Sequence, residues 1–126
     1  MRRVVRAEGA PRAVGPYSQA IVAAGCVWVS GQIALDPATG SLVAKDIEAE
    51  TRRALANLRT ILESAGTGLD RVIRATVYLT DLDDFERMNR VWAEHFGADP
   101  PARACVEVSR LPRGARVEID AVAALS

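Results

Sequence analysis

The stretch DIEAETRRALANLRTILESAG, residues 46–66, carries Ile47, Thr51, Ala54, Leu55, Leu58, Ile61, Leu62 and Ala65 at helical spacing. At about 3.6 residues per turn these side chains fall on one stripe, which predicts a helix with one buried face. Asp46 suits the N-cap, and Glu48 and Glu50 stand in the positively charged first turn. Gly66 suits the left-handed position just past the last turn. The period then drops to two. RVIRATVYL, residues 71–79, alternates Ile73, Ala75, Val77 and Leu79 with Arg74, Thr76 and Tyr78, the pattern of a strand with one face buried. A helix leading directly into such a strand is the nucleus of an α+β domain.

Outward from that nucleus the remaining elements follow. On the N-terminal side, Val4–Ala7 reads as a short strand and Gly9–Pro16 as a shaped loop. Ser18–Ala23 and Cys26–Gln32 form a hairpin through Ala24-Gly25, followed by a turn at Asp36–Gly40. On the C-terminal side, Asp83 with Glu86 resembles a capping box. It opens a second helix whose stripe is Phe85, Met88, Trp92 and Phe96 and which ends near Gly97. After the Asp99-Pro100-Pro101 break, Ala102–Val108 and Val117–Ala123 read as strands joined through Leu111-Pro112-Arg113-Gly114. The order is β-β-β-α-β-α-β-β in a single domain, residues 1–126, with neither linker nor repeat. Right-handed crossovers put both helices on the same face of one mixed sheet. The other face also carries substantial residues, Cys105, Tyr78 and Trp28, and an uncovered face of that kind predicts self-association.

Composition narrows the function classes. Sixteen basic residues balance sixteen acidic ones, whereas electrostatic grip on nucleic acid usually brings a basic excess. The only lysine, Lys45, lies in a polar connection, a poor place to desolvate an amine for Schiff-base chemistry. His95 is the only histidine, and no His/Cys/Asp/Glu cluster has metal-ligand spacing. Cys26 and Cys105 stand in separate apolar segments. No apolar run reaches the roughly 18 residues of a membrane span. The expected compartment is the cytoplasm, with both thiols reduced.

Strand parity marks a candidate site. Arg103, Cys105 and Glu107 share one face of their strand, and Glu118 and Asp120 share the polar face of theirs. Paired as a hairpin, the two strands would bring Arg103 and Glu118 onto one polar face. The flat arginine fork matches a carboxylate with two parallel N–H donors, and a carboxylate nearby can hold and deprotonate water. On pattern alone, a cross-strand ion pair is the commoner arrangement, and Cys105 reads as a small buried hydrophobe.

Several motifs shift that balance. Gly15-Pro16-Tyr17-Ser18-Gln19-Ala20, Val29-Ser30-Gly31-Gln32-Ile33, Thr76-Val77-Tyr78-Leu79 with Asp81, Phe85 and Asn89, Pro101-Ala102-Arg103-Ala104-Cys105-Val106-Glu107-Val108, Leu111-Pro112 and Val117-Glu118-Ile119 occur in this order along nearly the whole chain. Together they resemble the RidA/YjgF family. The resemblance implies a chorismate-mutase-like α+β fold, a mixed β-sheet with two helices on one face, assembled as a homotrimer around a central β-barrel with clefts between subunits. It also implies a cofactor-independent deaminase that hydrolyses 2-aminoacrylate and 2-aminocrotonate, through their imines, to 2-keto acids and ammonia. Carried over by position, Arg103 clamps the substrate carboxylate and Glu118 positions the water. The backbone N–H groups of Gly31 and Cys105 hold substrate oxygens, and Tyr17, Ser30 and Asn89 line the cleft.

Other readings stay open at this point. One is a pathway-specific deaminase of a larger imino acid. Another is an endoribonuclease-type member, which the charge balance and single histidine disfavour. A third is a ligand-binding or chaperone-like module. Trp28 and Trp92 are assigned to packing, Glu107 to a surface or inter-strand charge, and Asp81 to the end of its strand or a turn cap.

Overall fold

Helix α1 (Ile47–Ser64) forms where the 3.6-residue pattern places it. The Asp46 carboxylate accepts the Ala49 N–H at 2.7 Å, filling one of the donors a helix start leaves free. At the other end Gly66 takes a φ of 96°. Thr67 N–H there donates to the Leu62 carbonyl at 3.0 Å, and Gly66 N–H donates to the Glu63 carbonyl at 3.1 Å. That pair of bonds closes the carbonyl end. Every residue of the predicted stripe, from Ile47 to Ala65, is buried. Leu55, Leu58, Ile61 and Leu62 are fully enclosed, each contributing about 1.5–3 kcal/mol relative to exposure.

The computed structural model describes all 126 residues. Its other elements are β1 (Arg3–Val5), β2 (Ala20–Ala23), β3 (Cys26–Gln32), β4 (Val72–Leu79), α2 (Phe85–Phe96), β5 (Ala102–Glu107) and β6 (Val117–Ala124). The strands make one mixed sheet in the order β1-β2-β3-β6-β4-β5. Only β4 and β5 run parallel, as expected for strands joined through α2, and the other neighbours are antiparallel. Val27, Val29, Ala75, Val77, Leu79, Ile119 and Ala121 join the α1 stripe and Met88, Val91 and Trp92 of α2 in one core. The fold is therefore α+β with both helices on one face. No helix is long and apolar enough to cross a membrane.

The opposite face is uncovered, and Trp28, Ile73 and Val106 are 47%, 50% and 42% exposed on this chain. Ile73 corrects the simple alternation. The β4–β6 register runs Val72↔Ala123 and then Arg74↔Val122, so β4 carries one extra residue. That bulge throws Ile73 out of the buried row.

Two further expectations give way. Asp83 does not cap α2: a short 3₁₀ turn, Leu82–Asp84, precedes the helix, and Asp81 accepts the Asp83 N–H at 2.9 Å. Glu107 receives the Leu82 N–H at 2.9 Å, so its carboxylate ties down that same turn. The strands containing Arg103 and Glu118 also do not pair, because β4 lies between them.

Candidate active site

The site grows from an irregularity in β3. Its register against β6 runs Val29↔Ala121 and then Gln32↔Ile119, so β3 spends one extra residue at Ser30-Gly31. The bulge presents Gly31 to the side chain of Glu118. A Cβ built on Gly31 would collide with Glu118 Oε2 and come within 2.7 Å of Cδ. Position 31 thus requires glycine for close approach rather than for backbone freedom.

Glu118 is half-buried. Burial, reinforced by the neighbouring Asp120 charge, holds its carboxyl above the usual carboxylate range. Asp120 in turn accepts a hydrogen bond from the Tyr78 hydroxyl at 3.0 Å, which with burial raises the Tyr78 pKa.

Around Glu118 lies a small cleft of about 110 Å³, with Tyr17, Gly31 and Arg113 in its wall. Tyr17 is 51% exposed on the loop that precedes β2. That loop is held largely by Gln19. The buried Gln19 amide accepts the Ala7 N–H at 2.6 Å and donates to the carbonyls of Ala7 and Pro11, at 3.2 and 2.8 Å. Ser30 binds the same loop: its hydroxyl donates to the Ser18 carbonyl at 2.6 Å, and its N–H donates to the Gln19 carbonyl at 2.9 Å. Tyr17 and Gly31 therefore stand in the wall of the Glu118 cleft, while Ser30 stands outside that lining and anchors the loop that carries Tyr17.

Arg103, Cys105 and Asn89 form another group. Arg103 pairs in register with Ala75, and Cys105 with Val77, which puts both on the helix-covered side of the sheet. Glu118 pairs with Tyr78 and faces the open side. The expectation that Arg103 and Glu118 share a face is thus overturned within one chain. The parallel β4–β5 pairing and the interposed β4 set the two parities apart. Nor is there a cross-strand ion pair, since Arg103 takes part in no salt bridge.

Instead, the Arg103 guanidinium lies 5.0 Å from the Trp92 ring centre and 5.6 Å from that of Phe85. Stacking occupies the flat face of the guanidinium, and Nη1 makes a long contact to the Met88 sulfur at 4.0 Å, so the rest of its N–H edge is available to an oxyanion. Trp92, expected only to pack, also supports this arginine. Asn89 falls between Phe85 and Trp92 at helical i, i+4 and i, i+3 spacing, so it borders the same surface. Cys105 packs against the core, and burial pushes its thiol pKa up, opposed by the Arg103 charge. A thiol so disposed is a weak nucleophile. Its backbone is better placed. Val108 N–H donates to the Leu79 carbonyl at 2.8 Å, and the two-residue period of the ladder turns the Cys105 N–H outward along the free edge of β5.

Sequence reasoning passed over two supports of this site. One is Gln19, quoted only as part of a motif. The other is Glu50, read as a helix-dipole partner but 1% exposed in the structure. Its carboxylate accepts the Arg116 N–H at 3.1 Å and lies 3.5 Å from Arg116 Nε, which fixes β6 two residues before Glu118. No local signal separates that role from an ordinary first-turn acid.

Comparison with known proteins establishes the family. The family model described as endoribonuclease L-PSP matches residues 7–125. A RutC family protein of Pyrococcus horikoshii is 51% identical over 98% of both chains. The 2-iminobutanoate/2-iminopropanoate deaminase of Homo sapiens is 42% identical over 98% of this chain and 90% of its own. Among solved structures, a Rid family protein of Yersinia pestis superimposes with a TM-score of 0.96 at 43% identity, covering 98% of this chain and 99% of that one. By sequence over nearly its whole length and by fold, the chain belongs to the endoribonuclease L-PSP (Rid) family.

Proposed function

We propose that the protein is an imine deaminase, converting 2-iminopropanoate and 2-iminobutanoate to 2-keto acids and ammonia. The observation that carries this reading is the Glu118 carboxylate, held above its ordinary pKa in a cleft against a glycine that leaves it room. A carboxylate shifted toward neutrality is a stronger base for water. Relatives named as 2-iminobutanoate/2-iminopropanoate deaminases support the substrate class.

The step is a hydrolysis. The enamine 2-aminoacrylate tautomerises to its imine, and water held by Glu118 adds to the imine carbon while Glu118 takes the proton. That proton passes to the imine nitrogen, giving the carbinolamine, which collapses as its hydroxyl proton is relayed through Glu118 to nitrogen and the C–N bond breaks, releasing ammonia and leaving the keto acid. Arg103 binds the substrate carboxylate through its free N–H edge, and the N–H groups of Gly31 and Cys105 hold substrate oxygens. Tyr17, Ser30 and Asn89 line the pocket. No cofactor enters the scheme.

Arg103 and Glu118 serve one substrate only if they come from different copies of the chain. The reading therefore includes a homotrimer in which the open sheet faces meet and each cleft joins the Glu118 group of one copy to the Arg103 group of the next. The apolar residues on the uncovered face support that assembly. Their burial would remove Trp28 and Val106 from water.

The test is ammonia and keto-acid release from 2-aminoacrylate made in situ by a serine dehydratase. Acceleration by the wild type, lost in Arg103→Ala with assembly intact, is the expected result. No acceleration with the imines derived from serine, threonine and alanine would overturn the reading.

A further inference from the structure

The cleft does not end at Glu118. Pro11, Arg12, Val14, Leu35 and Arg113 line the small hollow around Glu118 and also a second hollow of about 370 Å³ that reaches the Pro37–Gly40 turn. The two hollows adjoin along these five residues, with Glu118 in the inner one. Their charge is one-sided: Glu118 is the only acidic residue in the inner lining, and the outer lining has none, while Arg12 and Arg113 belong to both.

Neither arginine is neutralised by a carboxylate. Arg113 is held in place nonetheless. Its Nη1 donates to the Gly40 carbonyl at 2.6 Å, a neutral partner that leaves the charge uncompensated. Its backbone sits at φ 61°, ψ 19°, a left-handed conformation that is unfavourable for a residue with a Cβ. A strained backbone and a tethered side chain fix a positive group on the wall of a groove whose far end holds the water-activating carboxylate. Two unpaired guanidinium groups along one groove repel each other, and an anion between them relieves that repulsion.

We infer that the outer groove selects imino acids carrying a second carboxylate, the imines of acidic amino acids, with Arg12 and Arg113 binding the distal carboxylate. The inference rests on the deaminase reading for its chemistry. The imine carbon still gains water and loses ammonia at Glu118, and the distal carboxylate takes no part in the reaction. A three-carbon imine fills only the inner hollow, whereas a five-carbon diacid extends into the outer one.

The experiment compares 2-iminoglutarate, generated from glutamate by an L-glutamate oxidase, with 2-iminobutanoate generated by a threonine dehydratase. Disappearance of each imine is followed by trapping with semicarbazide. In the Arg12→Gln/Arg113→Gln variant, kcat/KM for 2-iminoglutarate falls by about tenfold or more relative to that for 2-iminobutanoate, the scale of a charge-assisted hydrogen bond. Added salt narrows the wild-type advantage of the diacid in the same direction. Equal loss on both substrates, or no loss on either, overturns the inference. Binding of the diacid product 2-oxoglutarate, compared with 2-oxobutanoate, provides a readout that does not need turnover. If the wild type hydrolyses neither imine, the deaminase reading fails. The groove assignment then stands only if 2-oxoglutarate binding weakens in the double variant, and falls if it does not.

Discussion

At the scale of single residues, the arrangement turns on one contact, the Glu118 carboxylate against Gly31. Glu118→Gln keeps the shape and removes the proposed base, so the rate should fall by roughly 10²- to 10⁴-fold with little change in substrate affinity. The same variant should be more stable than the wild type at neutral pH. The folded-state pKa of Glu118 is raised, so ionisation costs more in the folded protein than in the unfolded chain. Stability is greatest where the carboxyl is protonated in both states, and it declines as pH rises from the ordinary carboxylate value through the raised one. Urea unfolding should therefore show the glutamine variant ahead at pH 7, with the gap closed below about pH 4. The acid limb of the wild-type kcat/KM profile should lie above the ordinary carboxylate range for the same reason. Gly31→Ala acts differently. Its methyl meets Glu118, so it should cost about 1–3 kcal/mol of stability from overpacking and displace the base, lowering activity. Unchanged kinetics in this variant would contradict the assigned geometry.

At the scale of elements, what positions the catalytic strand is a helix. Glu50 of α1 is buried and receives the first N–H before β6. Removing it should cost about 1–3 kcal/mol, because the part-buried Arg116 N–H loses its acceptor. Thermal unfolding of Glu50→Ala checks this, and a parallel loss of activity would show that β6 had shifted. The elements also show how far sequence carries. The α1 stripe, its Asp46 cap and its Gly66 stop were fully legible, since each is a local consequence of helix geometry. The hairpin through Ala24-Gly25 was legible too: both residues take positive φ, 53° and 71°, as a tight hairpin turn demands. The motifs named candidate site residues, of which Gly31 and Glu118 meet. Pairing order was not legible. Nothing local in Ala102–Glu107 reveals that it adds in parallel beside β4 instead of folding back on β6, and that choice decides which way Arg103 points. The β4 bulge behind the exposed Ile73 was equally hidden, because alternation assumes an unbroken register.

At the scale of the whole molecule, the opposed facing of Arg103 and Glu118 makes a sharp prediction about assembly. Arg103→Ala and Glu118→Gln chains, each inactive alone, should recover activity when co-expressed. In the proposed ring of three, mixed at random, about one cleft in four would have an intact arginine on one chain and an intact glutamate on the next. Recovery near a quarter of the wild-type rate is expected, and absence of recovery in verified mixed trimers would place the site within one subunit. The same scale gives meaning to the way the Tyr17 loop is moored. Gln19 gathers three hydrogen bonds to Ala7 and Pro11 into one side chain, whereas the sheet distributes its bonds over many residues. The wall of the cleft and the frame behind it therefore open with different free energies. The loop should open as a hinged unit once the Gln19 amide and the two Ser30 bonds let go together, exchanging its protons with solvent while the strands beneath stay closed.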